Sequence, residues 1–272
     1  MTRQAWAPIL EHAADIVYSY STGVTLRQLF YRLVADGTLV NTTGSYKSLS
    51  SKTAEARREG GFPDLIDPGR EIHRPTSWIG PEALVDAALA QYRRDRTEFQ
   101  DVSVYLGVEK KGIVAQLESW FGDQGIPILA LGGYSSQTYI DDVAADAFGQ
   151  SRDAVLLYAG DFDPSGEDID RDFEARTGCF DEVVRVALTA EQVSTYQLPP
   201  AMGKVTDSRA GRFIARHGQL VQVELDALPP DVLRTLYADA LAQFWDVSAY
   251  ERSLTTEQDD VRRLKQLVGR GA

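Results

Sequence analysis

Cysteine is almost absent from this chain: Cys179 stands alone in 272 residues, beside three histidines and two methionines. A single cysteine excludes an intramolecular disulfide and a cysteine-based zinc site, and it fits a reducing compartment. Long apolar runs are also missing. No stretch approaches the ~20 apolar residues that cross a bilayer, and Glu11, His12 and Asp15 interrupt the first helical stretch, so neither a membrane span nor a signal peptide is expected and the location expected is cytoplasmic. Basic charge is in deficit too. The 28 Lys and Arg residues face 40 Asp and Glu, a net charge of −12, which excludes a protein that coats nucleic acid indiscriminately. What is present is ordinary for a folded protein: 43% hydrophobic and 25% charged residues, and enough chain for two domains with real cores.

The acidic balance is uneven. Between Ser21 and Pro63 six basic residues, Arg27, Arg32, Lys47, Lys52, Arg57 and Arg58, outnumber the three acids Asp36, Glu55 and Glu59, giving a local phosphate-binding face or simply a mixed solvated surface. Trp6, Ile9, Leu10, Ala13, Ile16, Val17 and Tyr20 recur at helical spacing and predict a first amphipathic helix. Thr25 is placed to cap a second, Leu26 to Asp36, closed by Gly37; a short turn-rich segment, Thr38 to Gly44, leads to a third from about Ser45 to Glu59. This order resembles a winged-helix or helix-turn-helix unit, with Ser45, Lys47, Ser48, Ser51, Lys52 and Arg57 as candidate DNA contacts, although domains that bind nothing share the pattern. On the second helix Leu26, Phe30, Leu33 and Val34 form the apolar stripe. Arg27 and Tyr31, four residues apart, lie together on its flank, as a nucleophile and its assisting cation or as residues at the rim of a core.

A Pro- and Gly-rich segment holding Pro63, Pro68 and Pro75 reads as a linker, and Pro81 opens a helix expected to run to about Phe99. From there apolar runs alternate with helical segments: Val102 to Val108, Ile126 to Leu131, Ala154 to Tyr158, Val183 to Leu188 and Leu220 to Leu225. That alternation predicts a mainly parallel sheet of four to five strands whose functional residues sit at strand carboxyl ends. Three acids fall at such ends: Glu109 after the first run, Asp161 and Asp163 after the third. The turn Asp161-Phe162-Asp163-Pro164-Ser165-Gly166 reads as an N-cap or as half of a cation site. With Glu109 beside it on a parallel sheet, three converging carboxylates favour Mg²⁺. Lys110 and Lys111 then offset the acids or lie solvated. Glu167, Asp168, Asp170 and Asp172 read as a favourable first helical turn and solvated face. His73 and His217 are either supporting groups or surface residues.

A strand-terminal Glu109 followed by the Asp161–Gly166 turn resembles the Toprim domain of topoisomerases and primases. Thr25-Leu26-Arg27-Gln28-Leu29-Phe30-Tyr31-Arg32 is similar to the Arg-x-x-(Tyr/Phe)-Tyr motif in the winged-helix domain of the topoisomerase VI A subunit and of the related meiotic double-strand-break transesterase. Val223-Glu224-Leu225-Asp226-Ala227-Leu228 resembles a strand-to-helix segment late in the same proteins. The resemblance covers nearly the whole chain.

It implies an α/β protein with a winged-helix domain over residues 1–75, a linking helix over 76–100, and a Toprim domain over 101–272 ending in helices. It implies a nucleoid-associated type IIB topoisomerase A-like DNA endonuclease. Tyr31 would attack double-stranded DNA to give a 5′-phosphotyrosyl link, assisted by Arg27, with Mg²⁺ held by Glu109, Asp161 and Asp163. Arg32, Lys47, Lys52, Arg57, Lys110 and Lys111 would contact DNA. A homodimer would share each site between subunits, and strand passage would need a separately encoded GHKL-type ATPase. Two rival expectations remain: a Toprim nuclease that uses metal-activated water, with Tyr31 structural, and a non-catalytic DNA-binding subunit of a larger complex.

Overall fold

The computed structural model describes residues 6–66, 74–201 and 209–269. His73 and Pro68 fall outside the described residues. The chain begins with three helices, α1 (Trp6–Ser19), α2 (Leu26–Ala35) and α3 (Thr43–Arg58). Thr25 caps α2 as its sequence suggests: its hydroxyl accepts from Gln28 N while the Gln28 side chain accepts from Thr25 N, a reciprocal capping box. Gly37 follows at φ 79°, a conformation that ends the helix and costs glycine little. The turn-rich segment expected over Thr38 to Gly44 is a short bent connection, and α3 takes up its last two residues, Thr43 and Gly44. Among the described residues this region makes one ladder contact, an isolated parallel bridge between Thr25 and Ile66.

Helix α4 (Pro81–Gln91) stops eight residues short of the expected Phe99. Its successors are pulled elsewhere. The guanidinium of Arg94 pairs with Asp260 at 2.7 Å and that of Arg96 with Glu257 at 2.7 Å, so the chain turns onto the last helix, α11 (Val247–Gly269), instead of continuing α4.

Four strands, β1 (Val102–Val108), β2 (Ile128–Ala130), β3 (Asp153–Ala159) and β4 (Glu182–Ala187), form one parallel sheet in the order β2-β1-β3-β4. Helices α5 (Lys111–Phe121), α6 (Gln137–Gly149) and α7 (Gly166–Thr177) make the connections, and α8 (Ala190–Thr195), α9 (Ala210–His217) and α10 (Pro230–Leu241) follow β4. Burial of both sheet faces explains the continuous apolar runs of β1 and β3. Leu220 to Leu225 is not a fifth strand. Only Val223 pairs, antiparallel with Phe162, and the chain then turns at Leu225–Ala227. Both N–H···O bonds of that pair form, Phe162 N to Val223 O at 2.8 Å and Val223 N to Phe162 O at 2.9 Å, so the segment is pinned to the Asp161–Gly166 turn and not to the sheet edge.

One buried cluster runs from α1, α2 and α3 through β1 and β3 to α10, joining Phe30, Tyr31 and Leu33 with Val108, Ala159 and Leu228. A second fills the opposite sheet face between α6 and α7 with Tyr105, Leu156, Tyr158 and Phe173. The helices of the first 60 residues therefore pack on the same core as the sheet.

Candidate active site

The adjacent parallel strands β1 and β3 end in register, Val108 opposite Ala159, and this places the next residues of each chain segment side by side. Glu109 N donates to Ala159 O at 2.9 Å, and Glu109 Oε2 accepts from Asp161 N at 2.9 Å. Asp161 Oδ1 accepts from Leu225 N at 2.8 Å, which draws the Glu224–Leu228 segment over the strand ends. Asp163 Oδ1 accepts from Gly166 N at 2.6 Å and closes the turn. Gly166 is required here by space: a Cβ would overlap the Asp161 carbonyl group. Arg185 on β4 braces the same turn, donating to the Asp161 carbonyl oxygen at 2.7 Å while paired with Asp170 at 2.7 Å.

The three acids named from sequence do lie together. Burial raises the Glu109 carboxyl above its usual range and the charge of Asp163 raises it further, while the N–H of Asp161 opposes both. Asp161 is pushed up to about 7, chiefly by burial and in part by Glu109, with Lys110 opposing the shift. Under-compensated, partly buried carboxylates supply the oxygen donors that Mg²⁺ takes. As they stand, their oxygens are turned to backbone N–H groups and to Lys110. Among the described residues no three or more His, Cys, Asp or Glu side chains are already arranged around a metal position. The donor chemistry of Glu109, Asp161 and Asp163 fits a hard cation, and such an ion would supply charge neutralisation at a phosphate.

Lys110 takes an unexpected place. Its Nζ lies 3.2 Å from Asp161 Oδ1, 3.0 Å from Glu224 Oε2 and 2.8 Å from Asp226 Oδ2. Although burial favours the neutral amine, Asp226, Asp161 and Glu224 together hold the ammonium well above the usual lysine range. Arg27 Nη1 reaches both oxygens of Glu224 at 2.6 Å. Glu224 consequently stays ionised, its carboxyl lowered by Lys110 and Arg27 against the effect of burial.

Tyr31 is at this cluster too, but from inside the core. Its side chain is 0% exposed, and its hydroxyl has no hydrogen-bond partner. Burial raises the phenol, Glu224 and Asp226 raise it further, and Arg27 and Lys110 oppose them. The flank of α2 that carries Arg27 and Tyr31 is thus covered by the turn Leu225–Ala227. Arg32, expected on DNA, donates to the Ala227 carbonyl oxygen and holds the same packing.

The other cations named from sequence are not gathered. Lys47, Lys52 and Arg57 stand five residues apart on α3, about 140° from one to the next around a helix, so they do not share a face. Lys52 pairs with Glu55 at 2.6 Å, Lys47 and Lys111 are exposed, and Arg57 is half-buried. The acids of α7 are mostly paired rather than solvated: Glu167 with His217 at 2.7 Å, Asp168 with Arg171 at 2.6 Å, Asp172 with Arg176 at 3.3 Å. A cavity of about 630 Å³ between α7, β4 and α9 is walled by several of these pairs.

Sequence reading named the Glu224–Leu228 segment but gave no role to Glu224 and Asp226. The available signal was their alternate spacing, the same period that marked Asp161 and Asp163. No family model matches the chain, and no curated protein matches it. Among the described residues no helix is long and apolar enough to cross a membrane.

Proposed function

We propose that this chain cleaves DNA phosphodiesters with a divalent cation at Glu109, Asp161 and Asp163. The observation that carries the reading is the pairing of the β1 and β3 ends, which sets Glu109 Oε2 2.9 Å from Asp161 N and leaves both carboxyls short of compensating charge. The cation would neutralise charge developing on the scissile phosphate. Asp161 and Glu109 would hold it, Asp163 would fix the turn as well as donate, and Arg185 keeps the Asp161 backbone from moving.

In this conformation water is the better-supported nucleophile. A buried phenol with a raised pKa neither reaches a DNA phosphate nor ionises readily. Tyrosine transesterification is the second reading, and one observation favours it: Arg27 and Tyr31 converge within a single chain on Glu224, in the segment that lies over the strand ends. It requires α2 to part from the Leu225–Ala227 turn, either in this copy or in a second copy that presents its own Tyr31. The homodimer and a separate ATPase partner belong to this second reading.

The test is plasmid cleavage in Mg²⁺, quenched with detergent, by wild type, Tyr31→Phe and Asp161→Ala. Free linear or nicked product from wild type and Tyr31→Phe, with none from Asp161→Ala, is expected. Protein covalently attached to the ends, lost in Tyr31→Phe, moves the assignment to transesterification. Equal cutting by Asp161→Ala overturns the metal site.

A further inference from the structure

We propose that Asp161, Glu224 and Asp226 form a second cation position, and that the Lys110 ammonium is its resident occupant, exchanged for a divalent metal ion. The inference rests on the cation-dependent reading of Glu109, Asp161 and Asp163 for its purpose, though not for its test.

Geometry supplies the first argument. One nitrogen meets an oxygen from each of three carboxylates at 2.8, 3.0 and 3.2 Å, and these carboxylates come from two separate chain segments. Asp226 is 5% exposed, so its charge has no solvent to answer it. Its Oδ2 lies 2.8 Å from Lys110 Nζ and is otherwise without a hydrogen-bond partner. A buried carboxylate oxygen whose one polar neighbour is an ammonium is an atom that a metal ion, which bonds without a preferred hydrogen direction, can take over.

Charge supplies the second. When all three carboxylates are ionised they face two cations, Lys110 and the Arg27 that clamps Glu224, leaving one negative charge uncompensated. A divalent ion in the lysine's place leaves none. A uniform acidic patch would not behave this way; the clamp on Glu224 is what brings the balance to zero.

The Tyr31 hydroxyl is the independent third observation. It is a fully buried polar atom with no partner, on a phenol whose acidity responds to Glu224, Lys110 and Asp226. Buried hydroxyls are ordinarily satisfied, and an orphan at the wall of a cluster marks something missing from it. A metal ion brings water with it, and that water would give Tyr31 a partner. Lys110 then behaves as a plug: seated in the acids when no ion is present, and released toward the open strand end when one enters.

The test measures Mn²⁺ binding to the full chain by calorimetry, using wild type, Lys110→Met, and Lys110→Met combined with Glu224→Gln and Asp226→Asn. Removing the plug is expected to add one ion or to tighten binding by about tenfold, which is 1.4 kcal/mol, and the two further substitutions are expected to abolish that gain. Unchanged stoichiometry and affinity in a folded Lys110→Met chain overturns the proposal. Wild-type protein supplies a second measurement: acetylation of Lys110 by an amine-reactive ester, followed by mass spectrometry, is expected to rise several-fold on adding Mn²⁺. Protection unaltered by saturating Mn²⁺ also overturns it. If wild type binds no ion at Glu109, Asp161 and Asp163, the cation-dependent cleavage fails, while the gain on removing Lys110 is still read separately.

Discussion

Arg27 on α2 grips both carboxylate oxygens of Glu224 at 2.6 Å, across 197 positions of sequence, and so ties the N-terminal helices to the segment that covers the strand ends. A single guanidinium nitrogen spans both oxygens, and the arginine side is open to solvent, 41% exposed, so the strength of the contact is screened. A double-mutant cycle of Arg27→Met and Glu224→Gln is expected to give a coupling of about 1 kcal/mol in urea unfolding. A coupling near zero would mean that the two side chains contribute independently and that the seam is held by packing alone.

Much of the frame was readable because strands buried on both faces leave an unmistakable apolar record. Val102 to Val108 and Ala154 to Tyr158 are continuous runs, and an acid at each end marks where they stop. Leu220 to Leu225 failed as a strand because alternation over a few residues specifies an extended chain without saying what it pairs with; Val223 found Phe162. Tyr31 looked dispensable to the apolar stripe of α2, and by helical geometry it is, but α2 has a second covered face made by the Leu225–Ala227 turn. Lys110 was the least legible residue. Whether a flexible ammonium turns to solvent or into three acids depends on where Glu224 and Asp226 arrive, more than a hundred positions later.

Gly166 offers a steric test of the turn. A methyl group there would overlap the Asp161 carbonyl, and the neighbouring backbone is held by Asp163 and Arg185, so neither side yields easily. Gly166→Ala is expected to cost about 2–3 kcal/mol by urea unfolding, in the range of overpacked sites. Gly149→Ala is the control, since nothing lies within 4 Å of a Cβ there, and it should shift stability by less than about 0.5 kcal/mol.

Two buried tyrosines should respond in opposite directions to loss of the hydroxyl. Tyr237 donates to the Gly107 carbonyl oxygen at 2.7 Å, so Tyr237→Phe is expected to destabilise by about 1–2 kcal/mol. The Tyr31 hydroxyl has no partner, and Tyr31→Phe is expected to stabilise the metal-free protein by about 1 kcal/mol. Urea midpoints measured side by side decide it. A loss of stability in Tyr31→Phe would show that the hydroxyl is satisfied in solution, and would remove one support for the second cation position.

Asp161 sets the expected pH dependence of the metal-free protein. Its folded-state pKa, about 7, stands well above the usual aspartate value of about 4, so folding favours the protonated carboxyl. The associated stability is fully present below about pH 4 and is lost as the pH rises toward 7, because the folded chain must then ionise a desolvated carboxylate beside Glu109. Thermal unfolding in chelator is therefore expected to lose melting temperature from Asp161 between about pH 4 and pH 7. Asp161→Asn should flatten that part of the profile and leave the variant more stable than wild type at pH 8. A divalent cation should act in the opposite sense, stabilising wild type most at high pH, where both carboxylates are ionised and available to it. If the wild-type and Asp161→Asn profiles run parallel across this interval, the carboxyl titrates normally and is not held short of charge.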